Sequence, residues 1–429
     1  MFYSIIFAGL KNKKGIALLL SAHVVSSSAQ GITMLSIPWY FASIIDEAEM
    51  FGKVLAGATF VSMFWTVYAG TLIDRYPRKY IFLVASLVGL IGLGGAGLYG
   101  HLYQEMPIWI VAGVFVFTFF GFNIHYPNLY AFTQQMAAKG EYGKVNSIIE
   151  ILGQSSNVIS GAVGAVLLMG STGEAIDFLG IQMRFPLIFE AWEIWEIFLL
   201  DAATYVVAMC IIPFITYDST KDLPIDVDPM IQRLKTGWRF LSEHKDIRTF
   251  GIASYAIFIV LLVEVQYLLA IYVDNQLEAG ADVYASSEVY FALGSLSAGF
   301  FIRKLTRTMK PITSIIVLMS MGGVVFILAA AFKSVLIFYL ISAVIGFSNA
   351  GARVTRVTHL FNHIPNNIIG RANSIFYVYN IAMRGLMLMI FSTVFFDTGN
   401  NIIWAYAICG VFILMSTIPL IRMRNTVQS

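Results

Sequence analysis

Apolar residues gather along this chain in blocks of about 20, each closed by a short cluster of charged or polar residues. A helix rises about 1.5 Å per residue, so a block of roughly 20 apolar residues crosses the ~30 Å hydrocarbon core of a bilayer. The pattern predicts twelve such runs, near Gly15 to Ser43, Val54 to Leu72, Tyr80 to Leu102, Pro107 to Phe132, Val145 to Met169, Trp195 to Thr216, Arg248 to Val273, Val289 to Ile302, Ile312 to Phe332, Val335 to Val357, Ala372 to Phe396 and Ile402 to Ile421. The eighth is the shortest. The expected fold is an all-α integral membrane protein.

The longest hydrophilic stretch divides the chain into residues 1–216, a linker 217–246 and residues 247–429, with six runs on either side. Inside the linker Met230, Ile231, Leu234, Trp238, Phe240 and Leu241 recur at roughly helical spacing between Arg233, Lys235, Arg239 and Lys245. That pattern predicts an amphipathic helix at the membrane surface. A repeat supports the division. Gly143-Lys144-Val145-Asn146-Ser147-Ile148 opens the fifth run and Gly370-Arg371-Ala372-Asn373-Ser374-Ile375 the eleventh, 227 residues later, and Gly121-Phe122-Asn123 is echoed by Gly346-Phe347-Ser348. Six is an even number, so two such copies run the same way through the membrane, as parallel six-helix repeats.

Charge then sets the orientation. Of the 27 Lys and Arg, 23 fall in segments on one side, and only Lys53, Arg184 and Lys333 lie opposite. The positive-inside rule places both termini in the cytoplasm of a multi-pass protein of the cell membrane. The net charge of +2 gives no reason to expect nucleic acid as a partner. Cys210 and Cys409 sit inside apolar runs as packing residues, and no His or carboxylate spacing suits a metal. No cofactor is expected, and the lack of a phosphate-cradling loop disfavours direct use of ATP.

The turn between the second and third runs reads Gly70-Thr71-Leu72-Ile73-Asp74-Arg75-Tyr76-Pro77-Arg78-Lys79. Asp74 can accept hydrogen bonds from amides at a helix start, and Pro77 suits a first helical position. Lys79 reads as a solvated charge that fixes topology. The stretch resembles the signature of the major facilitator superfamily, roughly G-x-L-x-D-R-x-x-R-K, with Gly70, Leu72, Asp74, Arg75, Arg78 and Lys79 matching and Pro77 standing where a glycine is common. Leu199-Leu200-Asp201-Ala202-Ala203-Thr204-Tyr205, and Ile364-Pro365 followed by Ile369-Gly370-Arg371-Ala372-Asn373-Ser374, are similar to the exporter branch that includes siderophore and macrolide efflux proteins. The resemblance implies two six-helix bundles rocking about a mid-membrane site, with Gly70, Asp74, Arg75 and Arg78 as a conformational latch. Two departures bear on coupling: the fifth run has Ser160-Gly161-Ala162-Val163-Gly164-Ala165 without the proline of many antiporters, and the fourth has Asn123, His125 and Asn128 but no arginine.

Ionisable groups within the hydrocarbon are costly, so each is a candidate for function. Arg384 lies 13 residues past Arg371 and Glu264 16 residues past Arg248, about 20 and 24 Å into the membrane. They can form an ion pair, a substrate site or a proton-linked carboxylate. Asn157 is the repeat counterpart of Arg384. Glu150 is a gate carboxylate or a salt-bridge partner, Asp201 a packing or capping group, and His23, Gln30 and His125 are candidates to line a pathway. Tyr126, Tyr130, Tyr267, Tyr272, Tyr377 and Tyr379 can clad a pocket for a bulky solute, and Ser171 to Glu193 either covers its mouth or lies at the interface. These readings converge on a monomeric secondary transporter, not an enzyme, exporting an amphipathic small molecule with the proton gradient. A lipid or metabolite permease or a metal exporter is the alternative within transporters, and a membrane sensor or embedded enzyme the alternative outside them.

Overall fold

The computed structural model describes residues 10–138, 141–171, 175–178, 181–184, 188–217, 230–365 and 368–426. Among them eleven helices are long and apolar enough to cross a membrane. The first half contains α1 (Lys13–Trp39, continued by a π-helical turn Tyr40–Ile44), α2 (Ala48–Arg75), α3 (Arg78–Tyr103), α4 (Ile108–Met136), α5 (Tyr142–Met169) and α6 (Ile194–Ile211). Between α5 and α6 an antiparallel hairpin, β1 (Ala175–Phe178) with β2 (Ile181–Arg184), pairs Ala175 with Arg184. The expected all-α chain thus carries one small β element outside its membrane-length helices.

The second half contains α7 (Met230–Glu243), α8 (Lys245–Ser254), α9 (Ala256–Val263), α10 (Ala281–Thr308), α11 (Pro311–Ala331), α12 (Val335–His363), α13 (Ile369–Phe391), the short α14 (Val394–Asp397) and α15 (Ile402–Thr426). The predicted seventh run is one span, Lys245–Gln276, interrupted by π-helical turns at Glu264–Leu268 and Tyr272–Gln276. The predicted eighth run is the main misjudged boundary. Its helix starts at Ala281 rather than Val289, because Asp282, Ser286, Ser287 and Glu288 hid its beginning from a hydropathy reading; α10 is not among the eleven apolar spans. The eleventh run ends at Phe391, and the residues to Phe396 turn into α14.

Two compact units emerge. One comprises residues 1–40, 61–174 and 185–226, the other 41–60, 175–184 and 227–429. Hydrocarbon gives helices little hydrophobic reason to associate, so close backbone approach and van der Waals packing hold such bundles together. In the first unit α3 meets α6 through small residues: a Cβ at Gly100 would lie 2.3 Å from that of Trp195, and one at Gly97 2.7 Å from Leu199. In the second unit α10 and α12 approach still more closely. A Cβ at Gly294 would sit 1.9 Å from the Ala343 carbonyl oxygen and one at Gly346 2.0 Å from that of Phe291. Within the predicted linker Met230–Glu243 form α7, with Gly237, Phe240 and Leu241 buried and Trp238 and Arg239 exposed. Gly237 lies against the start of α13, where a Cβ would come 2.3 Å from the Arg371 carbonyl oxygen.

Local capping positions the elements that carry the polar groups. At the start of α6, Glu193 and Glu196 form a reciprocal capping box, which satisfies amides that a helix end leaves free. Gly170 ends α5 in the left-handed region (φ 68°), a conformation that glycine adopts without a Cβ clash. Both thiols are free: Cys409 is buried, whereas Cys210, expected as a packing residue, is exposed on its helix.

Candidate functional site: a histidine pair and a buried carboxylate

The first unit has a partly open cavity between α1, α3, α4 and α6. Its polar wall is built by His23, Ser26 and Gln30 from α1, Ser86 from α3 and Thr118 and His125 from α4; Phe82, Phe117 and Tyr205 supply aromatic surface. Helical spacing puts Leu19, Ala22, His23, Ser26 and Gln30 on one stripe of α1, and that stripe faces the cavity. His23 Nδ1 and His125 Nε2 lie 2.9 Å apart, a hydrogen bond in which one ring donates and the other accepts. The edge of Tyr126 meets His23 (centroids 5.5 Å, interplanar 88°), and Phe82 meets His125 in the same manner (5.3 Å, 82°). His23 Nε2 and Thr118 Oγ1 are buried and have no hydrogen-bond partner in the protein. Such groups cost about 1–3 kcal/mol each unless a solute or water meets them.

The structure therefore brings His23, Gln30 and His125 together. It places Glu150 and Asn157 elsewhere, exposed on α5, with Glu150 accepting a hydrogen bond from Tyr130 Oη at 2.8 Å. Asp201 is fully buried and accepts from Thr33 Oγ1 at 2.8 Å, which ties α6 to α1. Packing describes it well.

In the second unit Glu264 opens the first π-turn of its span and is buried. π-Turns insert one residue into the ladder and commonly mark functional positions. Its Oε1 accepts from Tyr406 Oη at 3.2 Å, and it shares a small pocket with Ser287, Glu288 and Ser342. The described partner of Glu264 is thus a tyrosine, with a second carboxylate as its neighbour. Arg384 is buried on α13, with Tyr377 two turns earlier on that helix within electrostatic reach. Among the described residues, the cationic group most thoroughly packed in this unit is one the sequence did not single out. Arg356 is 4% exposed, donates from Nη1 to the Ser254 carbonyl at 2.9 Å and stacks 3.9 Å from the Tyr255 ring. Tyr267 and Tyr272 are core residues rather than pocket walls: both are fully buried, and Tyr272 donates to the Ala329 carbonyl at 2.8 Å.

Three cavity residues escaped the sequence reading. Thr118 is a lone hydroxyl in the run Val114-Phe115-Val116-Phe117-Thr118-Phe119, Tyr205 stood out only as the last residue of the Leu199–Tyr205 stretch, and Glu288 fell one residue before the predicted start of its helix. A helical wheel extended back to Ala281 would have put Glu288 inside the span.

At the turn after α2 the side chain of Asp74 lies outside the described residues. Gly70 has open space around it, Arg75 is exposed with its guanidinium 5.9 Å from the Tyr76 ring, and Pro77 caps α3 from just outside, so Arg78 rather than Pro77 is the first helical residue. Arg78 is buried, and its carbonyl accepts from Asn128 Nδ2 at 3.0 Å. Lys79 is not merely solvated. Its ammonium donates to the carbonyls of Pro213 and Ile215 at 2.7 and 3.0 Å, where α6 ends and carbonyls lack helical partners.

Comparison with known proteins agrees with this architecture. The Major Facilitator Superfamily description matches residues 19–386. Macrolide efflux protein A of Enterococcus faecalis is 24% identical over 291 residues, 65% of this chain and 80% of that protein. The protein of that name from Streptococcus pyogenes is 24% identical over 265 residues, 59% of this chain and 58% of its own length. Among solved structures, a mutant of the nucleoside transporter NupG superposes with a TM-score of 0.73 at 11% identity, covering 96% of this chain and 100% of that one. A bacterial homologue of the iron transporter ferroportin superposes with a TM-score of 0.71 at 13% identity, covering 96% and 98%. At these identities the superpositions speak for fold alone, and they span different cargoes. The helices, the cavity-bearing units and the family match lead to one conclusion: the chain belongs to the Major Facilitator Superfamily, as a multi-pass membrane transporter and not an enzyme.

Proposed function

We propose that this transporter exports an amphipathic organic compound of macrolide or siderophore-like character across the cell membrane, by alternating access and at the expense of the proton gradient. The observation that carries export is the likeness to macrolide efflux proteins over about two thirds of the chain. The mixed aromatic and hydroxyl wall of the cavity in the first unit supports an organic solute over a bare ion. In this reading the chain is a monomer with twelve spans, α10 included, both termini are cytoplasmic, and residues 1–216 and 247–429 form two parallel six-helix halves joined by 217–246. Gly70, Asp74, Arg75 and Arg78 form a latch that holds one end-state and releases as the inner side opens.

Accumulation of labelled macrolide in cells with and without the gene, repeated with a protonophore, tests this directly. Lower accumulation with the gene, abolished by the protonophore, is expected. Equal accumulation across a panel of amphipathic drugs overturns export, and a difference that survives the protonophore overturns proton coupling. Asp74→Asn, expressed at the surface yet slow in efflux, is the expected signature of the latch; undiminished efflux would remove it.

A further inference from the structure

The first unit holds two imidazoles joined nitrogen to nitrogen in a cavity whose wall, among the described residues, carries no Asp, Glu, Lys or Arg. Each ring has one nitrogen in the bridge and one outside it, and at 2.9 Å the bridge has room for one proton only. In the neutral pair one proton sits in the bridge and one on an outer nitrogen. If His23 Nδ1–H donates, His23 Nε2 is bare; if His125 Nε2–H donates, His23 Nε2 carries the second proton and His125 Nδ1 is bare. Either way one outer nitrogen is vacant. A third proton fills it and makes an imidazolium–imidazole pair with a charge-assisted bridge. A fourth would break the bridge and set two like charges on rings whose centroids are 5.1 Å apart.

We propose that His23 and His125 form a single proton-binding site that takes up one proton per transport cycle at its vacant outer nitrogen, which is His23 Nε2, buried and with no protein partner, when His23 donates the bridge, and His125 Nδ1 when His125 does. The step balances simply: one proton from water joins the vacant ring nitrogen, and the same number leaves when the site empties. A charge there has no counter-charge on the cavity wall, so its stability follows the water that reaches it, and water access is what alternating access changes.

The titratable groups around the pair are few. From α4 Tyr126 meets both rings, at 5.5 and 5.6 Å, and from α6 Tyr205 lines the cavity. Asp201 of α6 is bound to Thr33, ten residues along α1 from His23 and so about 15 Å away. On α5 Glu150 is hydrogen-bonded to Tyr130 and reaches Tyr126 electrostatically. From α3 the residues at the cavity are Phe82, Ala85, Ser86 and Gly89, none of which titrates. Among the described lining residues the pair and the Tyr205 phenol are thus the groups able to titrate, and the pair is the one that can gain a positive charge.

This inference rests on the proton-coupled reading, but its test is separable from it. The chain has six histidines, so purified protein labelled at histidine carbons can be titrated by NMR, with His23→Gln and His125→Gln assigning the signals. Two signals shifting together, with one proton bound between them, is the expected result. Two protons bound, or two independent titrations, overturns it. In proteoliposomes each variant should lower the ratio of gradient-driven efflux to substrate exchange at equal pH by about tenfold or more, since exchange needs no net proton movement. Gradient-driven efflux at the wild-type rate in both variants also overturns the proposal. If the wild-type protein itself ignores the gradient, the coupling reading fails, and the one-proton site is still decided by the titration.

Discussion

The two units solve the problem of polar groups in hydrocarbon in opposite ways. The first gathers neutral-capable groups, His23, His125, Thr118 and Gln30, around an open cavity and leaves two polar atoms without protein partners. The second buries groups that are charged in water, Glu264 and Arg356, and gives them a tyrosine hydroxyl, a carbonyl or an aromatic face. An incompletely satisfied polar cavity is a place where a solute or proton gains by binding. A satisfied buried charge is mainly a rigid element, except where a neighbour of like sign unsettles it, as Glu288 does beside Glu264.

Experiments can break this contrast, the strongest first. Glu264→Gln keeps an oxygen for Tyr406 and should preserve the fold, yet lower gradient-driven efflux by about tenfold or more if the carboxyl titrates during transport. Unchanged efflux would make Glu264 structural and leave proton chemistry to the first unit. Arg356→Met should destabilise the second unit by about 2–3 kcal/mol, because the Ser254 carbonyl loses its donor and Tyr255 its cation. A thermal melt in detergent at the wild-type midpoint would refute that. Gly237→Leu should cost about 1–3 kcal/mol by forcing α7 off the Arg371 backbone, seen as faster proteolysis of the 217–246 segment. Lys79→Met should cost less than about 1 kcal/mol, since its two carbonyl partners lie where water can replace it.

The smallest effect is a pH dependence outside the spans. Burial first, and then the negative charges of Asp46, Glu49 and Asp274, raise the Asp397 carboxyl above the usual aspartate range. The folded protein therefore holds that proton to higher pH than the unfolded chain does. Stability from this group is greatest in acid and falls as pH rises from the unfolded to the folded pKa. Asp397→Asn should flatten the dependence in a melt series; an unchanged slope would mean the acidic neighbours are screened.

How far the site could be read in advance differed from residue to residue. His23, Gln30 and His125 were visible because each is a polar residue in an apolar run, and spacing alone put His23 and Gln30 near one face of α1. That His23 meets His125, 102 residues away, no local pattern could show. Glu288 was missed because its own charge blurred the start of α10. Glu264 and Arg384 were legible as groups of similar depth, but depth along the membrane normal says nothing about which helix faces which, and that Tyr406 meets the Glu264 carboxylate only the fold could show.

The sequence by itself determined where apolar runs begin and end to within a few residues for most spans, the amphipathic pattern of the linker and the superfamily, because hydrophobic length, charge clustering and a short motif are local properties of a chain. Only the tertiary structure decided which buried polar groups touch, that Lys79 ties the end of α6 and that Arg356 rests on Tyr255. Those contacts depend on the rotation of each helix about its axis and on the close approaches that glycines such as Gly294 and Gly346 permit, and both are settled by packing between segments far apart in sequence.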